Sequence, residues 1–451
     1  MRIPVFVAAL ISFAVLGRPL TAQSAGTLDD LVQVALRDNP VQRQVRFAVE
    51  AADAGRREAL GRWLPSATIN ARYSEVSGNV VNLGQLINPA FSALNGLLGT
   101  PSFPTNIDLR LPLAQETALR LQQTLFAPAI GAGAAAATAV RGVRRAEADL
   151  QSRTLAAQVR IGWLQWAKAL KAVTIYESAL TVLDEQARVT QRLVAEGLAT
   201  PDAALRVKAE RGALAQQRDD ARRLEGAARQ AMNVLLARPL EAPLPEFTDA
   251  ALGIDSLPPL ADAAERAGRR RDELRQLDAA GAAARANERV VRSAYLPTLA
   301  LAVDYGWQGN SYDFRTSRDF TIASAVLSWN LFNGGQDHAR AQQARLETAR
   351  LDAMRDQAAR QVQLDVAVAH AAATVARSAI ATARERVEAA ERTWELVRRR
   401  RDAGGATLLE VLDARNALTA AQLNAVLTTY DYYQRCVEFD RAAARYPRTL
   451  P

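Results

Sequence analysis

The side chains that ordinarily carry bond chemistry are scarce in this 451-residue sequence. Cys436 is the only cysteine, which excludes an intrachain disulfide and a cysteine metal cluster. The two histidines, His338 and His370, lie far apart on one helical segment, as solvated helix positions do. Nothing resembles a nucleophile–base pair, a phosphate-binding loop or a metal site, so no enzyme activity and no cofactor are expected. The chemistry left is that of carboxylates and guanidiniums. Glu410 and Asp413 stand three residues apart and share one face if the segment is helical. The plainest reading of the pair is two solvated acids, with Asp413 bonded to a neighbour such as Arg415.

A net charge of +8 and a pI near 9.9 invite nucleic acid as a partner. The arginines are instead scattered among Asp and Glu at helical spacing, with no aromatic residues between them, as on long solvated helices. The N-terminus also reads as a secretory signal: Arg2 precedes the apolar stretch Val5 to Leu16, and small residues follow at Thr21, Ala22 and Ala25. The signal spans residues 1–22, or to 25 at the latest. Its 12-residue span is shorter than the ~20 apolar residues needed to cross a bilayer. No cysteine follows for lipid attachment, and no other segment reads as a transmembrane helix. Export and charge pattern together argue against nucleic acid.

The elements that must position Glu410 and Asp413 occur twice. Residues 28–73 align without a gap onto 260–305, each running from helical pattern through Leu-Pro into a strand. The stretch 336–403 has neither glycine nor proline and favours helix, for a length of ~100 Å. Its counterpart, 134–196, contains Gly142 and Gly162 but no proline. Each run stops at a related signal, Gly197-Leu198-Ala199-Thr200 and Gly404-Gly405-Ala406-Thr407, where glycine ends one helix and Thr caps the next. The segments that follow are again helical, giving two antiparallel hairpins, 130–237 and 336–446. A Pro-rich linker, 238–259, separates a first repeat, 27–237, from a second, 260–446, and 447–451 form a tail.

Between helix and hairpin each repeat carries two strands, 66–76 with 117–126 and 298–307 with 320–332. Leu299, Leu301, Val303, Tyr305 and Trp307 alternate with smaller or polar residues, as do Ala323, Ala325, Leu327, Trp329 and Leu331. Their length and one-sided apolarity suit transmembrane barrel strands of ~9–11 residues. Four strands cannot close a barrel, so insertion requires several chains to share one. Two copies would give a lumen largely filled by side chains, and a conducting barrel favours three. The connection 75–116 is long and rich in Gly, Pro and Asn, as outer loops are.

These features resemble TolC-family outer-membrane efflux proteins over essentially the whole mature sequence. The resemblance rests on the Leu64-Pro65 and Leu296-Pro297 steps, the junctions Leu125-Phe126-Ala127-Pro128 and Leu331-Phe332-Asn333-Gly334-Gly335, the two hairpin turns, and Thr407-Leu408-Leu409-Glu410-Val411-Leu412-Asp413-Ala414. It implies an α+β membrane protein of long antiparallel helical hairpins and four transmembrane strands per chain, assembled as a homotrimer around a shared 12-stranded barrel. It further implies a place in the outer membrane with a large periplasmic portion, and a periplasmic adaptor and an inner-membrane transporter as partners. The function implied is small-molecule efflux; the exit duct of a type I protein secretion system shares the architecture. From another class, a periplasmic coiled-coil structural or adaptor protein shares the hairpins but wastes the apolar-faced strands. In the resemblance, Glu410 and Asp413 occupy the periplasmic gate, and Gly197, Leu198, Gly404 and Gly405 the adaptor-docking tips. The latch positions of the best-known member hold Ala406 and Ala203 here. Closure would then rest on packing around Leu198, Leu408 and Leu409, with Arg398 to Arg401 supplying ion pairs.

Overall fold

A computed structural model describes residues 27–75, 81–108, 110–111, 113–245, 257–309, 314 and 318–445. The expected signal segment, part of the Pro-rich linker and the 447–451 tail lie outside them. The chain falls into two compact units. Among the described residues, one comprises 27–35, 158–245 and 387–430; the other comprises those within 36–157, 257–386 and 431–445.

The duplication is visible in the element order. Helices α1 (Leu28–Asp38) and α2 (Pro40–Gly61) precede strand β1 (Ser66–Tyr73). At the same spacing in the second repeat, α6 (Leu260–Arg270) and α7 (Asp272–Arg292) precede β5 (Thr298–Gly309). A single helix ahead of each Leu-Pro step was expected; the structure has two. The break falls at equivalent residues with nearly identical backbone, φ −64° and ψ 131° at Asn39 and φ −63° and ψ 130° at Arg271. The two sites hold that extended geometry differently. Asn39 accepts a hydrogen bond from the Val41 amide at 2.8 Å, ahead of Pro40 at the first helical position. Arg271 is 11 % exposed, pairs with Glu273 and Asp365, and donates to the Ala442 carbonyl at 3.0 Å. It thereby ties the break to α8 (Gln336–Asp402) and to the end of α9 (Leu408–Ala442). Around it Ala263, Ala267, Leu274, Val362, Val366, Phe439, Ala442 and Ala443 form a core rich in alanine, which lets the helices approach closely.

The sheet belongs to the same unit. Its order is β1-β4-β5-β6, all antiparallel, with β4 at Gln115–Phe126 and β6 at Asp319–Ser328. β6 stops short of residue 332 because its partner β5 begins at Thr298, opposite Ser328, so Trp329 to Phe332 have no ladder to join. The register sorts the residues onto two faces. One carries the rows Ile69-Leu119-Tyr305-Thr321 and Ala67-Leu121-Val303-Ala323. Its larger apolar members are all exposed, Ile69 at 75 %. The other carries Thr68-Arg120-Asp304-Ile322, with Arg120 bidentate on Asp304 at 2.6 and 3.0 Å, and the pair Arg72–Glu116 at 2.9 Å. The unpaired sides of β1 and β6 leave the sheet open within one chain.

The 75–116 connection was expected as an irregular loop. It contains a helix, α3 (Gly84–Leu98), and a short pairing of β2 (Val81–Asn82) with β3 (Arg110–Leu111). Asn88 and Asn95, two turns apart, explain its persistence. Each amide exchanges two hydrogen bonds with backbone, Asn88 with Ile107 at 2.8 and 2.9 Å and Asn95 with Phe103 at 2.7 and 2.8 Å.

The remaining elements are α4 (Pro128–Ala195) and α5 (Pro201–Leu235), which with α8 and α9 make the long hairpins. One expectation needs correction. An 18-residue window of α8 has a mean hydropathy of 1.3, enough by length and composition to cross a membrane. Alanine and valine produce much of that value, and 28 % of the window is buried within the chain, with Val366, Ala373, Ala376 and Ile380 among the buried residues of α8.

The two breaks should respond differently to truncation. Asn39→Ala should cost about 1 kcal/mol through loss of a cap. Arg271→Ala should cost more, because it strands Asp365 and Glu273 as well as the Ala442 carbonyl. Thermal unfolding of the two variants under one condition measures the order.

Candidate gate and hairpin tips

Both hairpin turns lie in the other unit, and both end their first helix in the same way. Gly197 has φ +73° and Gly404 φ +76°, a left-handed conformation that a side chain resists. At the first turn the Leu198 amide donates to the Leu193 carbonyl at 2.8 Å, and the Gly197 amide to Val194 at 3.1 Å. At the second, Gly405 donates to Arg400 at 2.7 Å and Gly404 to Arg401 at 2.9 Å. These are Schellman terminations, which leave Leu198 72 % exposed at its tip. Gly405 does not require positive φ.

The restart of the chain differs between the turns. Thr200 was expected to cap α5, but it makes no side-chain cap bond; Pro201 opens the helix with its preset φ. Thr407 and Glu410 instead form a reciprocal capping box. Glu410 Oε2 accepts from the Thr407 amide at 2.7 Å and its hydroxyl at 2.9 Å, and the Glu410 amide meets Thr407 Oγ1 at 3.2 Å. Arg400 Nη2 adds an ion pair to Glu410 at 3.3 Å and donates to the Gly405 carbonyl at 3.0 Å. Arg401 donates to Ala406 at 3.1 Å. These bonds, with those to Thr407 foremost, hold the Glu410 carboxyl below its ordinary range.

Glu410 and Asp413 share one side of α9, as their spacing indicated. Val411 and Leu412 are buried away from that side, Leu412 within a core of Ala179, Leu180, Leu183, Val207 and Leu214, and Ala414, one turn beyond Glu410, is buried as well. Asp413 is exposed, and among the described residues it makes no ion pair. The anticipated bond to Arg415 is absent, because Arg415 is buried against Trp394, 5.6 Å from its ring centroid. Of the apolar tip residues, Leu408 packs on the Leu412 core, while Leu198 and Leu409 remain exposed. Ala406 is buried. The candidate gate pair is therefore one tied carboxylate and one that is free among the described residues. The Thr-x-x-Glu spacing that ties Glu410 is a legible capping signal which a charge-centred reading passes over.

Residues 263–445 match the family described as outer membrane efflux protein. No curated protein matches the sequence significantly. The fold matches solved channels at low identity. CusC is 17 % identical with a TM-score of 0.76 over 92 % of each chain. The Campylobacter jejuni CmeC outer membrane channel is 15 % identical, TM-score 0.75, over 92 % of this chain and 85 % of that one. The open-state Neisseria gonorrhoeae MtrE outer membrane channel is 19 % identical, TM-score 0.72, over 93 % and 89 %. The resemblance read from the motifs is thus met in sequence over the second repeat and in fold over nearly the whole chain. These matches are to channels rather than enzymes. The matched family and two of these three solved channels are described as outer membrane proteins.

The capping difference gives a direct check. Thr407→Ala should loosen the first turn of α9 by about 1 kcal/mol, whereas Thr200→Ala should leave α5 nearly unchanged. Amide exchange at the two helix starts reads both. Because Glu410 titrates below its unfolded value, its contribution is present above that value and lost as pH falls through the depressed one. The α9 start should therefore fray in acid before the α5 start does.

Proposed function

We propose that three copies of this chain form an outer-membrane exit channel, one part of a tripartite export system for small molecules. The open sheet carries this reading. It exposes an apolar face and has two unsatisfied edges, and closing it with two further copies satisfies both and yields a 12-stranded barrel wide enough to conduct. An apolar groove between α4, α5 and α9, where Leu224 and Leu427 stand exposed, offers surface for packing with another copy. The apolar face then meets lipid, and the Arg120–Asp304 face meets the pore.

At the periplasmic end, Asp413 from each copy would form a ring of unpaired carboxylates, with Glu410 beside it held to Thr407 and Arg400. Such a ring attracts cations and concentrates field at a constriction. The tips around Gly197, Leu198, Gly404 and Gly405 are the surfaces for a periplasmic adaptor, which an inner-membrane transporter would load. Exposed Leu198 is the apolar contact of that surface. Secretion of a protein through the same duct predicts the same strands and tips; a neighbouring gene for an ABC transporter with a protein substrate would favour it.

Four measurements test the proposal. In planar bilayers, Glu410→Ala with Asp413→Ala should raise conductance and lower cation selectivity several-fold, most of the selectivity loss following Asp413; an unchanged current removes both from the constriction. A bulky charged residue at Gly197 should diminish cross-linking to the adaptor in trimers that still form. Val303→Arg, on the lipid face, should cost roughly 2–4 kcal/mol of barrel stability in vesicles, while Ala302→Arg on the opposite face should cost little. Recovery of the wild-type protein in the soluble periplasm would sink the channel reading altogether.

A further inference from the structure

The tip-bearing unit holds a second charged group that the gate does not use. Arg415 lies on α9, two residues beyond Asp413, and is only 8 % exposed. Most other arginines of this unit have carboxylate partners: Arg211 pairs with Asp184, Arg222 with Glu177 and Arg400 with Glu410. Arg415 has none among the described residues, and its Nε makes no hydrogen bond. Its one compensating contact among the described residues is the Trp394 ring. A ring face offsets only part of the cost of taking a guanidinium out of water. Burial accordingly pushes its pKa below the ordinary value, with no acidic neighbour to oppose the shift.

The side chain does not end in solid packing. It lines an open-sided cavity of about 380 Å³ between α4, α8 and α9, together with Thr174, Ser178, Val387, Gln422 and Val426. Thr174 and Ser178 give their hydroxyl protons to the carbonyls of Leu170 and Thr174, at 3.1 and 2.9 Å, so they offer a ligand no donors. Donation into the cavity is left to Arg415 and the amide of Gln422.

We propose that Arg415 and this cavity form an anion site for a carboxylate, supplied either by a small molecule in solution or by an acidic side chain of a second copy. A guanidinium presents its N–H groups as a planar fork that fits the two oxygens of a carboxylate, and stacking on Trp394 limits the planes that fork can adopt. The cavity admits a carboxylate without displacing the helices around it. The second source rests on the trimer proposed above; the first stands without it.

The test uses the purified full-length protein. Its unfolding midpoint and oligomeric state are measured in acetate and in chloride at one ionic strength, and again for Arg415→Gln and Arg415→Met. A free-carboxylate site raises the wild-type midpoint in acetate by at least about 2 °C, and both variants lose that rise. A site filled by a second copy leaves the wild type indifferent to the anion, while both variants lose oligomer. A wild type indifferent to acetate, with an Arg415→Met variant that assembles and melts as the wild type does, overturns the proposal. If neither variant folds, Arg415→Lys decides: it keeps the charge but not the fork. Wild-type assembly and melting of that variant in both anions also overturns the site, whereas loss of either supports it.

Discussion

The structure depends on the fate of two strand edges. β1 and β6 each pair on one side only, so alternate residues along them leave backbone N–H and C=O groups unmet in the sheet, and in hydrocarbon each unmet group costs more than a side chain returns. The chain already contains a template for the remedy. β1 and β4 come from the first repeat, β5 and β6 from the second, and the antiparallel β4–β5 ladder joins one repeat to the other. Joining β6 to the β1 of another copy repeats that seam between molecules. Duplication thus explains why a half-built barrel is a tolerable state for one chain: its open edges are complementary to each other by descent from the same unit.

The same duplication left room for divergence where the edges impose nothing. Both tips retain the glycine-led termination, because a helix hairpin needs it in either repeat. The restarts diverged, one using Pro201 and the other the Thr407–Glu410 box with Arg400. A carboxylate committed to capping is held in place and partly neutralised. Glu410 therefore contributes more to the shape of the tip than to its field, and Asp413 is left as the charge that faces outward.

Much of this was legible in residue patterns. Period-two alternation after Pro65 and Pro297 marked strands, and glycine spacing marked both turns, because these are local consequences of backbone geometry. The Asn39 break carried a local signal in Asn-Pro; the Arg271 break did not, since its extended geometry is held by Glu273, Asp365 and Ala442, the last two distant in sequence. Helix α3 was hidden for a similar reason. Its proline and glycines read as loop, and its anchors are Asn88 and Asn95 reaching to Ile107 and Phe103. At the candidate gate, spacing put Glu410 and Asp413 on one face correctly. It could not show that Arg415 turns inward to Trp394 instead of pairing with Asp413, because that choice is made by packing.

The distribution of charge along the proposed pore follows from these details. On the polar face of the sheet the charges come as matched pairs, Arg120 bidentate on Asp304 and Arg72 on Glu116, directly opposite one another in the ladder. A matched pair holds adjacent strands in register and presents little net field to a passing solute. At the tip the balance is broken, since Arg400 answers Glu410 and no cation answers Asp413 among the described residues. In the proposed channel the paired charges of the sheet add little net field, whereas Asp413 contributes an unpaired charge.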